Sequence, residues 1–536
     1  MSTVSLLFLA IGCGDDDPPA DDASVDASTD ASDATIADGD ADVVIPEVPL
    51  CDLTAQAGAY PDPGAFPDNS GPGGPTRTFT EDELYQNCSY LDGGDLDVTD
   101  HHNLVTMYDG YLLMPWAPEF GRGGLTFFDI SDPCAPTVAG SGFSESMRET
   151  HSIGFSDVNG RYAVVDMIDL VQGFDYGGVQ FWDVSNPEAP EAVSDLPLPG
   201  FGYPDAYARV VLSVFWQVPY VYAAGADNGI YVIDATDARN PSLVNTYTFD
   251  PVLRTGQVQA IGNLLIVTAA EGARTVLLDI SDPENPQPIP GGDFQAVDEN
   301  GTPREAYFTN TAGGYVYYAR KEGGGGLMVH DISDPENPTP AGVFRSDGNG
   351  GYVFIKEGLA FVGESRFAAI YDVTDLTAIS EVARMDLEGD LDTVTPIGNV
   401  AVLSVDDEAI EDQGSSIAPY ALEPDTLAPE VNFVWPANGD TEVLLTSRIG
   451  ATFSEFVDVR SAWVGSVRLY ETGSDMNAAR VPGVVSTQEA IVNFHPCAPL
   501  APDTDYTFEV TAGGVTDFNG NAITETFTST FRTVSL

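Results

Sequence analysis

Positive charge is what this sequence has least of. Its 536 residues include 20 Lys and Arg against 83 Asp and Glu, a formal net charge of −63, and only Lys321 and Lys356 are lysines. So negative a surface repels phosphate backbones and anionic membranes at long range, which excludes nucleic acid as a partner. It suits divalent cations, basic partners or a saline medium that screens self-repulsion. Beyond the N-terminus no stretch approaches the roughly 18 apolar residues of a spanning helix. Catalytic signatures are also missing. There is no GxSxG elbow, no Walker-type phosphate loop, no HExxH and no GxGxxG ahead of a helix. The glycine run Gly323 to Gly326 precedes a strand pattern and reads as a turn. No CxxC or Cys/His spacing suggests structural zinc. Nothing here requires an enzyme, and the balance of the reading is against one.

What is present points to strands. Hydrophobic residues make up 43% and aromatics 10%, enough to build cores, while 54 glycines and 38 prolines without period suit many short strands and tight turns. Residues 14–50 hold eleven Asp and one Glu with no basic or aromatic residue. Such a segment cannot bury apolar surface and is predicted to be a disordered, extended linker. Removing it leaves 71 acids against 20 bases, still near −51.

The opening MSTVSLLFLAIGCG has an apolar run from Val4 to Ile11, then Gly12 and Cys13. It resembles a bacterial lipobox, although no Lys or Arg precedes the run and Ala10 stands where Leu is usual. The resemblance implies export, lipidation of Cys13 and a membrane anchored only through that lipid. The implied address is extracytoplasmic, at the outer membrane or cell surface of a bacterial envelope. Export permits disulfides. Cys51, Cys88 and Cys134 lie near the start of the folded region and are candidates for a pair that ties down its entry. Cys497 stands alone in the last domain.

From about residue 100 the chain repeats. An apolar run ending in Asp is followed by a turn with Asp and Pro: LTFFDISDPCAP, VQFWDVSNPEAP, IYVIDATDARNP, VLLDISDPENP, LMVHDISDPENP and AAIYDVTDLTAI. The first aspartates are Asp129, Asp183, Asp234, Asp279, Asp331 and Asp372. An eroded seventh copy spans Val394 to Leu422. Upstream of each landmark lies a Val/Ile/Tyr/Phe-rich run of four to seven residues, and downstream a more polar one, which gives three or four strands per repeat. This is the period of a propeller blade. The recurrent aspartates read as Asx-type turn formers, with Pro ending the strand pairing. Because the seventh copy lacks an outer strand, residues near Cys88 to Val98 are predicted to supply one and close the ring.

These repeats resemble LVIVD repeats of prokaryotic surface propellers over residues 95–424, and the resemblance implies a fold and an extracytoplasmic address but no defined reaction. Residues 427–536 resemble a bacterial Ig-like domain: VWPANGDTEV, then ATFSEFV, FHPCAPLAPDTDYTFEV and VTDFNGNAI. Such domains serve as spacers or adhesive modules. Tyr506 is expected to pack and hydrogen-bond at a sandwich corner. The Asp517-Phe-Asn-Gly-Asn521 turn is a hairpin turn by preference and a calcium site only as a lesser reading. The predicted fold is all-β, a seven-bladed β-propeller (95–424, with 51–94 as an N-terminal segment) followed by an Ig-like β-sandwich.

Two sets of residues could form a site. His101, His102 and His151 open the first and second repeats, and imidazoles converging at one depth of a channel could ligate copper, zinc or iron. The plainer reading is a set of channel-rim histidines bonded to backbone or water. Arg148, Arg209, Arg254 and Arg304 share a repeat phase and could ring a channel mouth for a carboxylate or sulfate, whereas ion pairs with neighbouring acids are preferred. No cofactor is required; a transition metal or calcium is the secondary expectation. The favoured reading is a surface lipoprotein whose propeller binds a protein or glycan without catalysis. A metal-dependent propeller enzyme and a structural envelope component are the alternatives.

Overall fold

The computed structural model describes residues 51, 58–66, 71–93, 104–117, 122–168, 177–200, 211–321, 323–406, 408–410 and 413–535. Cys13, the segment 14–50, His101, His102 and Arg209 lie outside these residues. Among the described residues regular structure is strand, apart from a 3-10 turn at Val459–Ser461. No helix among them is long and apolar enough to cross a membrane.

Six sheets follow one another, each of four antiparallel strands paired in chain order. In the first these are Thr106–Tyr108, Tyr111–Trp116, Gly123–Asp129 and Thr137–Ser144. The second begins at Gly154–Ser156, the third at Ser213–Gln217, the fourth at Thr255–Ile261, the fifth at Ala306–Ala312 and the sixth at Val353–Lys356. A seventh runs through Thr393–Ile397, Val400–Ser404 and Ser415–Pro419, and Ser89–Leu91 pairs antiparallel as its fourth strand. Ser89 opposes Ile417 and Leu91 opposes Ser415. The outer strand expected near Cys88 is therefore present, drawn from the N-terminal side of the first repeat.

The sequence pattern explains the layering. Third strands such as Gly177–Asp183 are buried up to the landmark aspartate because sheets cover both their faces, which is why they read as unbroken apolar runs. Fourth strands such as Glu191–Leu198 mix exposed and buried positions, hence their polarity. In all six landmark strands the register with the fourth strand shifts at a bulge just ahead of the aspartate, as between Phe127 and Phe128 or Phe181 and Trp182. A bulge at a fixed place adds twist. Each landmark aspartate then accepts the backbone N–H two residues on, from Ser131, Ser185, Thr236, Ser281, Ser333 and Thr374. The second acidic or amide residue repeats the bond, as Asp282 does with Glu284 and Asp334 with Glu336. These aspartates hold turns.

The C-terminal part is a sandwich of two antiparallel sheets. One is ordered Val431–Trp435, Ile449–Phe453, Ile491–Pro496, Gly483–Gln488, and the other Val467–Glu471, Asp505–Val510, Phe527–Arg532. Ile449, Phe453, Val467, Phe494, Phe508 and Phe531 pack between them. The Tyr506 hydroxyl accepts the Ala501 N–H at 2.9 Å, as expected of a corner tyrosine. Asp517 accepts the backbone N–H groups of Asn519 and Asn521 and the Asn521 side-chain amide, so the turn satisfies itself.

Cysteine pairing differs in part from expectation. Cys88 bonds Cys134, which fastens the ring-closing strand to the landmark turn of the first sheet, and the Ser89 hydroxyl donates to Pro133 O beside it. Cys497 is not alone: it bonds Cys51, 446 residues away in sequence. The reason is the path of the N-terminal segment, which runs over the sandwich before reaching the propeller. Tyr60 lies under the guanidinium groups of Arg468 and Arg480, and Phe66 under Arg460 and edge-on to Trp463. Farther on, Gly73 N–H donates to Gly110 O, and Phe79 N–H to Leu422 O. Replacing Cys88 and Cys134 together by Ser frees a loop whose ends are 46 residues apart, and chain-entropy reasoning gives a loss of about 4 kcal/mol. Thermal unfolding should show a lower Tm than the wild type, with earlier proteolysis around Ser89–Leu91.

Candidate functional site

The hairpin turn after the first strand of each propeller sheet faces the sandwich. Asp109 and Asp157, from the first two turns, receive Arg460, whose side chain is fully buried, at 2.7 and 3.5 Å. His495 Nδ1 meets Val218 O of the third turn at 3.1 Å. Burial, with Arg448 nearby, pushes His495 down to about 3, so it is neutral and Nδ1 donates. Asn493 accepts Gly262 N–H of the fourth turn and donates to Ala260 O. Thr452 accepts Gly313 N–H of the fifth, and Ser454 O accepts Glu357 N–H of the sixth. Asn519 packs on Gly398 of the seventh, where a Cβ would meet its amide oxygen at 2.4 Å. This is a covered end, not a hinged spacer.

The sandwich also reaches inward. The turn between Gly483–Gln488 and Ile491–Pro496 carries Glu489 at φ 56°, a left-handed conformation that costs an ordinary residue energy and marks a constrained tip. Gln488 mimics a strand neighbour, accepting Trp216 N–H and donating to Val214 O. One oxygen of Glu489, Oε2, accepts both Gln259 Nε2 at 2.7 Å and Asn310 Nδ2 at 3.0 Å. Burial pushes Glu489 up to about 7 even so. Ala490 packs in the same cluster as Phe155, Phe308, Tyr352, Phe354 and Phe456, so aromatic rings occupy the middle of the ring of inner strands. Phe308 stacks on Tyr352 at 4.2 Å and Phe354 meets Phe456 edge-on at 5.4 Å.

Charge collects at the other end of the inner strands. His151, 2% exposed and just ahead of Gly154–Ser156, places Nε2 3.0 Å from Glu149 Oε1, with Nδ1 3.8 Å from Asp166 Oδ2. Its ring stacks on Phe308 at 5.0 Å. Burial works to lower its pKa, but Glu149 and Asp166 outweigh it and hold the imidazole at about 9. Burial, reinforced by Asp390 and Asp406, pushes Asp392 well above the carboxylate range. Lys321 lies 4.1 Å over the Tyr307 ring and 3.2 Å from Glu271.

Three of the four arginines of shared repeat phase fall among the described residues, each beside an acid. Arg148 donates to Val211 O and pairs with Glu149, Arg254 pairs with Glu271, and Arg304 with Asp298 at 2.7 Å. Ion pairs, the preferred reading, are what the structure gives for all three. Sequence reasoning passed over Glu489, whose role needs the docked sandwich, and a second buried group at the interface. Lys356 Nζ touches Asp425 Oδ2, Glu455 Oε2 and, at 3.7 Å, Glu357. Among the described residues these three carboxylates form the group whose spacing could suit a metal, and the lysine occupies it. The signal was available: Lys356 is one of two lysines in the chain.

Seven stacked four-stranded sheets with a docked two-sheet sandwich define a β-propeller joined to an Ig-like domain. Family comparison agrees. The chain carries LVIVD repeats, matched at residues 120–142, 219–249 and 310–345, and a bacterial Ig-like domain over residues 425–533. The propeller of Doa1 is 14% identical, with 62% of this chain and 96% of that one covered and a TM-score of 0.43. A putative 6-phosphogluconolactonase from Bacteroides fragilis is 11% identical over 58% and 94%, TM-score 0.42. BamB from Moraxella catarrhalis is 13% identical over 61% and 96%, TM-score 0.38. These likenesses concern the fold alone. No curated protein matches the chain.

His151 and Glu489 set a pH dependence of one sign. A histidine raised from 6.5 to about 9 stabilises the fold fully below pH 6.5 and loses that contribution as pH rises through 9. An acid raised from 4.5 to about 7 resists ionisation in the fold, so stability falls as pH climbs from 4.5 through 7. Thermal melts should therefore show Tm declining from pH 6.5 to 9, above the range in which the buried neutral His495 titrates in the unfolded chain, with His151 accounting for on the order of 3 kcal/mol. His151→Gln should be less stable at pH 6 and lose the slope above 6.5. Glu489→Gln, whose amide oxygen can accept both bonds, should flatten the slope below 7.

Proposed function

We propose that the protein is an exported lipoprotein of the bacterial envelope, acylated at Cys13 and held on the acidic linker 14–50. Its propeller is a non-catalytic module for binding a protein or glycan. The observation that carries this reading is the covered end: the Ig-like domain occupies the hairpin turns and its Glu489 tip enters the ring. The opposite end, bearing Glu271, Lys321, Asp390 and Asp406, is left as the recognition face. Mixed charge over aromatic rings there suits a partner with both polar and apolar groups.

The test is binding of the full chain to an array of bacterial surface glycans and to purified envelope proteins. Lys321→Glu and Asp390→Lys should each weaken a captured ligand about tenfold, while Glu381→Lys on a fourth strand should not. Equal loss from Glu381→Lys, or none from the first two, would overturn the recognition face. Stoichiometric copper, zinc or iron, lost with His151→Phe, would overturn the non-catalytic reading. Cys13→Ser should move the protein from the membrane to the soluble fraction, and unchanged membrane retention would overturn the anchor.

A further inference from the structure

Eighteen of the twenty basic residues are Arg, and the buried cations of the interface, Arg448 and Arg460, follow that preference. Arginine is the better buried ion-pair partner, with a planar fork and a charge it does not give up. Lysine differs in one chemical respect: its amine can lose a proton and become a nucleophile. Lys356 is 4% exposed, at the end of the first strand of the sixth sheet, and its Nζ is in contact with two carboxyl groups from beyond the propeller.

The two carboxyls are held differently. Asp425 presents Oδ2 to Nζ at 2.5 Å, while its Oδ1 accepts the Leu427 N–H at 3.0 Å. One oxygen faces the amine and the other is polarised by a donor, the arrangement that stabilises a tetrahedral oxyanion. Asn521 fixes the residue by donating to Asp425 O. Glu455 touches Nζ through Oε2, while Oε1 is buried without a hydrogen-bond partner. Phe456, Phe518 and Pro396 line the same small cavity.

We propose that Lys356 and Asp425 become joined by a side-chain amide bond, with Glu455 as the proton shuttle. Although burial opposes the charge, the surrounding carboxylates hold Lys356 protonated above the usual lysine range, so the step begins when the ammonium passes a proton to the Asp425 carboxylate, giving amine and acid. Nζ attacks Cγ, and Glu455 takes a proton from Nζ and delivers one to the departing hydroxyl. The Cγ–Oδ2 bond breaks and water leaves. One ammonium and one carboxylate become one amide and one water, and Glu455 ends as it began, with no oxidant or cofactor. Burial pushes Glu455 up to about 8, so the shuttle holds its proton at neutral pH. Enclosure of groups already in contact supplies the effective concentration that such a condensation lacks in water. The bond would remove two buried charges and fasten the sixth sheet to the first residue of the Ig-like domain.

A tryptic map of the reduced full chain decides this. Modified Lys356 is not cleaved, so the fragment 346–366 should appear joined to 385–448, one water lighter than their sum. Free 346–356 and 385–448 as the main species would overturn the bond, whatever any variant does. Linkage of 346–366 to 449–460 would overturn Asp425 as acceptor in favour of Glu455. Lys356→Arg should abolish the joined species. Glu455→Gln, checked for folding by circular dichroism, should lose most of it, and full linkage in that variant would overturn the shuttle.

Discussion

Everything in the molecule depends on the pairing of Ser89–Leu91 with Ser415–Pro419. Without that strand the seventh sheet has three members and an unpaired outer edge. With it, the N-terminal side of the chain completes the C-terminal sheet. The Cys88–Cys134 bond then couples the same strand to the first sheet. A closed ring fixes the seven inner hairpin turns in one plane of approach, and only such a set can accept a single rigid partner.

That partner is the sandwich, and its docking is polar and highly specified. Inner strands leave backbone groups unpaired toward the axis, and Gln488 and Asn493 satisfy several of them with side-chain amides. Buried ion pairs at Arg460 and Lys356 add register instead of simple adhesion, because breaking either would strand a charge in the interface. The N-terminal segment, lashed by Cys51–Cys497 and by Tyr60 under two arginines, covers the sandwich on its way to the ring. Propeller, sandwich and segment are therefore mutually dependent, and residues 45–536 form one compact unit.

The consequence for function is directional. A channel entered from one end by Glu489 and packed with Phe308, Tyr352 and Phe354 is no conduit. Chemistry is left to surfaces and to the buried charge clusters at each end.

Local pattern determined a great deal by itself. Apolar runs ending in Asp, with Asp and Pro turns, set strand, bulge and Asx turn within a dozen residues, because those interactions reach only two to four positions along the chain. The missing outer strand in the last repeat foretold closure, since an exposed edge demands a partner. The Ig-like boundary and Tyr506 were legible for the same local reasons. Tertiary structure alone decided what lies between domains: the partner of Cys497, the entry of Glu489 into the ring, and the meeting of Lys356 with Asp425 and Glu455. Those outcomes depend on contacts between residues tens to hundreds of positions apart. Burial and neighbouring charge, not residue type, then set their chemistry.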